Sequence, residues 1–234
     1  MTGTFLNIVA VLMGGAIGLI FGSRIPERFK STVIAGMGLF TGAMGLQMFF
    51  SSENQLIVLG AIIIGIILGE WMKIEDRLQS FGQALEKRFA PDRETDSASS
   101  TFVRGFMVAS LLFCVGPMTI LGSIQDGLTG DYQLLAVKST LDLFASIAFA
   151  STLGIGVLFS SIVILIYQGG ISLLAGSLSA IITDPMMNEM TATGGVILFG
   201  LAISNLLEIK KIRVGNFLPA LVIAPLIVWI LEKL

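Results

Sequence analysis

Runs of predominantly apolar residues, each near the twenty or so needed to cross a bilayer's hydrocarbon core, recur along the chain with short polar breaks between them. They predict eight spans, at residues 5–21, 31–50, 55–72, 102–121, 134–153, 158–178, 192–207 and 214–231. Gly116 and Pro117 interrupt the fourth, and Pro219 and Pro225 fall in the eighth. Gly14, Gly18 and Gly22 are four apart, as are Gly38 and Gly42, and Gly65 and Gly69, which draws small-residue faces suited to close helix packing. Only Gly154 and Gly156 separate the fifth and sixth spans, so the turn there is tight, with a re-entrant hairpin as the alternative. The pattern reads as an all-α, polytopic helical membrane protein with broken helices, a single integral membrane domain over residues 1–234.

One tract departs from this pattern. Residues 73–100, KIEDRLQSFGQALEKRFAPDRETDSASS, form the longest hydrophilic stretch. Ile74, Leu78, Phe81, Leu85 and Phe89 repeat at spacings of four, three, four and four, which marks one apolar stripe on an amphipathic helix. Pro91 stops that helix, and the Ser- and Asp-rich remainder reads as a flexible linker. Its acidic and basic residues nearly cancel, which argues against a polybasic grip on anionic lipid.

Composition confirms the class and narrows the chemistry. Hydrophobic residues make up 54% of the 234 and charged ones 13%, with a mean hydropathy of +0.90, values outside the range of soluble domains. The net charge of −2 gives no footprint for nucleic acid. Histidine is absent and Cys114 is the single cysteine, so no internal disulfide, imidazole base or histidine metal site is available. Residues 1–21 lack the basic start and cleavage site of a signal peptide and read as a retained first span.

The basic residues fix an expected orientation. Arg24, Arg28 and Lys30, then Lys73, Arg77, Lys87, Arg88, Arg93 and Arg104, then Lys210, Lys211 and Arg213 all fall on one side of an eight-span topology. That side is expected to be the cytoplasm, with the tract 73–100 on it and both termini outside. Only Lys138 and Lys233 lie elsewhere. The tripeptide Lys-Ser-Thr at residues 30–32 and 138–140 suggests an inverted repeat of spans 1 to 3 on spans 4 to 6; a match of Gly45 and Gly60 to Gly200 and Gly215 would instead pair spans 2 and 3 with 7 and 8.

The chemistry concentrates in residues 114–142. Lys138 and Asp142 are four apart on one helix face, flanked by Ser139 and Ser146. A carboxylate at the centre of a bilayer costs about 2.5–3.5 kcal/mol or more without a partner or water, so the pair must face protein or a cavity. A structural ion pair is the alternative to a functional one. Gly116 and Pro117 free backbone carbonyls at membrane depth, either for a substrate or as a packing kink. Gln125, Asp126 and Asp131 read as an acidic turn at an external mouth, Gln168 as a mid-span donor and acceptor, and Gln47 as packing. Ser204, Asn205 and Asn216 are weaker candidates, and the polar stretch TDPMMNEM reads as a loop before span 7.

With CVGPMTILGSIQDGLTGD, the following KSTLD, the QGG of span 6 and EIKKIRVGNFLPAL in view, the chain resembles the YqgA/YdfK-like family of bacterial inner-membrane proteins, a family of unknown function. The resemblance implies a bacterial plasma-membrane location and a polytopic helical fold, and brings no substrate or reaction.

The expected function is secondary transport of a small polar or anionic solute by alternating access, with a coupling proton or Na+. Lys138, Asp142, Gln168, Ser139, Gly116, Pro117 and Gln125 are the substrate-binding candidates, and Asp142 and Asp126 the ion-coupling ones. A polar-lined channel and a non-transporting scaffold or sensor acting through residues 73–100 are the alternatives. No catalytic motif is present, so no enzyme, cofactor or metal is expected. The expected partners are the solute or ion, the lipid bilayer and a second copy of the chain, with a dimer favoured and nucleic acid excluded.

Overall fold

The computed structural model describes residues 1–22, 25–89 and 101–233, apart from the side chain of Glu27. Ser23, Arg24 and the linker from Ala90 to Ser100, with Pro91 and Arg93, lie outside the described residues. The helices are α1 (Thr2–Gly22), α2 (Glu27–Phe49), α3 (Gln55–Met72), α4 (Ile74–Phe89), α5 (Thr101–Cys114), α6 (Pro117–Thr129), α7 (Gln133–Leu153), α8 (Ser160–Leu173), α9 (Ala175–Ser179), α10 (Asp184–Leu201) and α11 (Ala220–Leu231). Short 3-10 turns, Ile155–Phe159 and Val214–Phe217, lead into α8 and α11, and a π-turn, Ala202–Leu206, ends α10. No strand occurs among the described residues. Among the described residues, seven helical segments are long and apolar enough to cross a membrane; α5 and α6, bent by 63° at their break, make an eighth if counted as one broken span. The protein is a polytopic helical membrane protein.

The chain forms two compact units. The first holds Met1–Ala35, Gln79–Cys114 and Met118–Ser179. Its central contact is α1 against α7. A Cβ on Gly14 or Gly18 would run into the carbonyl oxygen of Leu143 or Ile147, and one on Gly22 would lie 2.6 Å from that of Ser151. Backbone meets backbone along three turns, as the small-residue face of the first span requires. Phe102, Phe106, Phe113, Leu135, Phe149, Leu153 and Ile164 are fully buried in this unit. Gly154, at φ +79°, turns the chain between α7 and the next 3-10 turn, where a side chain would be strained. α7 and the segment Ile155–Leu173 each reach spanning length, so the fifth and sixth runs are two spans rather than a re-entrant hairpin.

The second unit holds Gly36–Leu78, Val115–Pro117 and Ala180–Leu234. Ala61 of α3 packs on Ala220 and Ala224 of α11, and a Cβ on Gly65 would come within 2.6 Å of Ala220. The stretch TDPMMNEM is not a loop. Thr183 caps α10, accepting from Met186 N, and Pro185 sits in the first turn where its missing N–H costs nothing. Glu189, buried inside that helix, accepts from Ser52 Oγ at 2.8 Å and from the backbone N–H groups of Glu53 and Asn54 at 2.8 and 2.9 Å. Its carboxylate thereby holds the turn before α3, which Asn54 caps through Leu56 N. Glu189→Ala is expected to destabilise the protein by about 1–3 kcal/mol and to open the turn at residues 51–54 to proteases, read by thermal unfolding in detergent and limited proteolysis.

Helix α4 forms as its stripe predicts, but its charges are sorted by the fold. Glu75 is 5% exposed and accepts from Gly215 N at 2.7 Å, while its own N–H donates to Asn216 Oδ1 at 2.7 Å. Glu86 is buried at 6% exposure. Asn216, a weak solute-binding candidate by sequence, is therefore a capping residue. Ser204 serves the neighbouring loop, its hydroxyl donating to Ile212 O and accepting from Ile212 N. Gln47 is exposed rather than packed.

Candidate functional site

Four polar side chains from three helices of the first unit meet in its interior. Asp142 lies nine residues into α7, about 14 Å along the helix from Gln133, close to the middle of a hydrocarbon core about 30 Å thick. Lys138, one turn earlier, is ion-paired and hydrogen-bonded to its Oδ2. The two are 6% and 7% exposed. The Lys138 ammonium also stands 5.8 Å from the centre of the Phe113 ring, which adds a cation–π contact on the apolar side.

Asn7 of α1 joins this pair to Gln168 of α8. Its Nδ2 donates to Gln168 Oε1 at 3.2 Å, and its amide also faces the Asp142 carboxylate. Both amides are fully buried. Asn7 Oδ1 and Gln168 Nε2 nevertheless have no partner, nor do the hydroxyls of Thr4 and Ser146. Buried polar atoms are almost always satisfied, so an acceptor and a donor left open beside a charged pair single this cluster out as the candidate site. Cys114, at the end of α5, is buried beside Lys138 and Asp142.

The sequence-predicted residues divide accordingly. Lys138, Asp142 and Gln168 come together through Asn7. Ser139 is buried, but its hydroxyl donates to Leu135 O at 2.6 Å within its own helix. Gln125 and Asp126 are not in a turn, because α6 continues to Thr129. Gln125 points outward, and Asp126 is buried at 2% exposure, its Oδ2 accepting from Gly3 N at 3.0 Å and pairing with the Met1 amino group at 3.2 Å. Asp126 is thus a cap on the start of α1 rather than a solvated mouth residue, although its Oδ1 is left open. Gly116 and Pro117 separate α5 from α6 and fall in the second unit. One carbonyl freed by the break, that of Phe113, accepts from Thr119 Oγ1 at 3.1 Å. Among the described residues no three His, Cys, Asp or Glu side chains gather as a metal site would require.

The sequence reading passed over Asn7. Its signal was present, a lone amide in an otherwise apolar first span, and such residues inside membrane segments face protein or water. Asn7→Leu is expected to strand Gln168 and to lower stability by about 1–3 kcal/mol, measured by thermal unfolding in detergent, while leaving the Lys138–Asp142 pair intact.

A family model described as a protein of unknown function, DUF554, matches residues 2–229. The chain belongs to the DUF554 family. The uncharacterized membrane protein YdfK of Bacillus subtilis (strain 168) is 31% identical to this chain, over 99% of this chain and 97% of its own. The uncharacterized protein YqgA of Escherichia coli (strain K12) is 31% identical over 95% of this chain and 94% of its own. No solved structure matches. The family thus covers both units and every residue of the cluster.

Proposed function

We propose that the protein is a secondary transporter that moves a small polar or anionic solute across the bacterial plasma membrane by alternating access, coupled to a proton or Na+. The observation that carries this reading is the Lys138–Asp142 pair at mid-membrane depth beside the open acceptor of Asn7 and the open donor of Gln168. Lys138 binds the solute's negative group when Asp142 releases it, Asp142 takes up the coupling ion, and the Asn7–Gln168 amides orient the solute. Near-complete burial of all four side chains supports an occluding carrier over an open pore.

The same reading sets both termini outside, builds the pathway on an inverted repeat and takes the working form as a homodimer. Proteoliposomes tested against a panel of small carboxylates, with and without proton and Na+ gradients, check it. Saturable, gradient-driven uptake is expected, with at least tenfold loss in Lys138→Ala, Asp142→Asn and Gln168→Ala. Unchanged uptake in all three would sink the site, and non-saturating conductance would favour a channel.

A further inference from the structure

We propose that a file of water along α1 carries protons between Asp126 and the Lys138–Asp142 pair. On the transport reading above, on which this rests, the coupling ion is then a proton rather than Na+. Among the described residues, six of the seven buried side-chain polar atoms without a hydrogen-bond partner belong to the first unit. Helix α1 puts four of them in order. Gly3 N donates to Asp126 Oδ2, while the Oδ1 of that carboxylate has no partner. Thr4 Oγ1 comes next and Asn7 Oδ1 one turn on, both unpartnered and three residues apart on one helix face. Asn7 in turn meets Gln168, whose Nε2 is open, and the Asp142 carboxylate.

The row runs inward from one end of the span. A Cβ on Gly3 would lie 2.6 Å from Leu135, and one on Gly122 of α6 2.9 Å from it, so the Asp126 end stands near the start of α7. Asp142 is seven residues, about 10 Å, deeper along that helix. Thr4 and Asn7 are 0% exposed and Asp126 2%, so neither lipid nor bulk solvent meets these atoms. Water satisfies such groups in protein interiors; here it finds acceptors in Asp126 and Asn7, a donor in Gln168 and in Thr4 a hydroxyl that does both. The donor set favours a proton over Na+. Asp142 is met by Lys138 and the Asn7 amide, and Asp126 by the Met1 amino group and Gly3 N, all of them N–H donors where Na+ needs oxygen ligands. Of titratable groups, Asp126 faces that amino group from α1, and Asp142 faces Lys138 on its own helix and Cys114 from α5, which Tyr167 of α8 adjoins. A proton arriving at Asp142 neutralises it and frees Lys138 for the solute.

The test compares Thr4→Val, which removes the hydroxyl at little change of shape, with Thr4→Ser, which keeps it, in the full-length protein. Thermal unfolding in detergent reads the water. A dry, unpartnered hydroxyl is a burden whose removal would raise Tm by several degrees, whereas a hydroxyl that holds water gives up those bonds, so Tm is expected to stay or fall. Proteoliposomes read the proton, with whichever carboxylate of the panel wild type takes up. The ratio of proton-driven uptake to solute counterflow, which moves no net proton, is expected to drop about tenfold in Thr4→Val, the equivalent of one lost hydrogen bond, and to stay within about twofold of wild type in Thr4→Ser. Should Thr4→Val not fold, Asp126→Asn is read for the same drop. A raised Tm, an unchanged ratio without the hydroxyl, or wild-type uptake driven by Na+ alone would overturn the proposal. If no carboxylate is taken up, the transport reading fails, and the Tm comparison still decides the file.

Discussion

Lys138→Met is expected to destabilise the folded protein by about 3–5 kcal/mol, because it leaves the Asp142 carboxylate buried without its counter-charge. Circular dichroism during unfolding in detergent reads the loss. The double variant Lys138→Met/Asp142→Leu should recover stability to within about 1–2 kcal/mol of wild type, since a well-packed apolar pair replaces a buried ion pair at little net cost. Transport should stay absent in both. The divergence separates a pair retained for work from one retained for folding: if the double variant were stable and still transported, the pair would be structural. If the single variant were as stable as wild type, Asp142 would have to be protonated, solvated or paired elsewhere.

Gly14→Val is expected to be strongly damaging although it removes no polar side chain. A Cβ there would strike the Leu143 carbonyl oxygen and lie 3.1 Å from Ser146 Cβ, so α1 and α7 must separate. Overpacking of this kind costs about 1–3 kcal/mol, and backbone cannot yield as a flexible side chain can. Because Asn7 is two turns away on the same helix, its amide should leave Asp142, and transport should fall with every charged and amide group still present. Gly116→Ala is the contrast. A Cβ at Gly116 meets nothing within 4 Å, so stability should change by less than about 0.5 kcal/mol, measured in the same unfolding experiment.

The spans were legible because hydrocarbon thickness imposes a length that apolar runs display directly. The α4 stripe was legible for the same kind of reason, a period written locally in the sequence. What sequence reasoning missed depends on partners far along the chain. Asp126 looked like part of a solvated turn because its donors lie at the start of α1, and Gly3 is 123 positions away. Glu189 looked like loop polarity because its donors come from a turn more than 130 positions earlier. Asn7 was hidden differently. In a span apolar on every side, periodicity cannot separate the face that meets lipid from the face that meets protein, so α1 read as packing alone. Of the site, the Lys138–Asp142 pair could be seen from its spacing of four, whereas its junction with Gln168 required α1 to be laid between α7 and α8.

The single cysteine has a practical consequence. Cys114 sits buried beside the charged pair, in a chain with no other thiol. The unaltered protein therefore carries its own reporter. If the protein transports as proposed, alkylation of this thiol by a small membrane-permeant reagent would slow when a solute closes the cluster and quicken when the pathway is exposed.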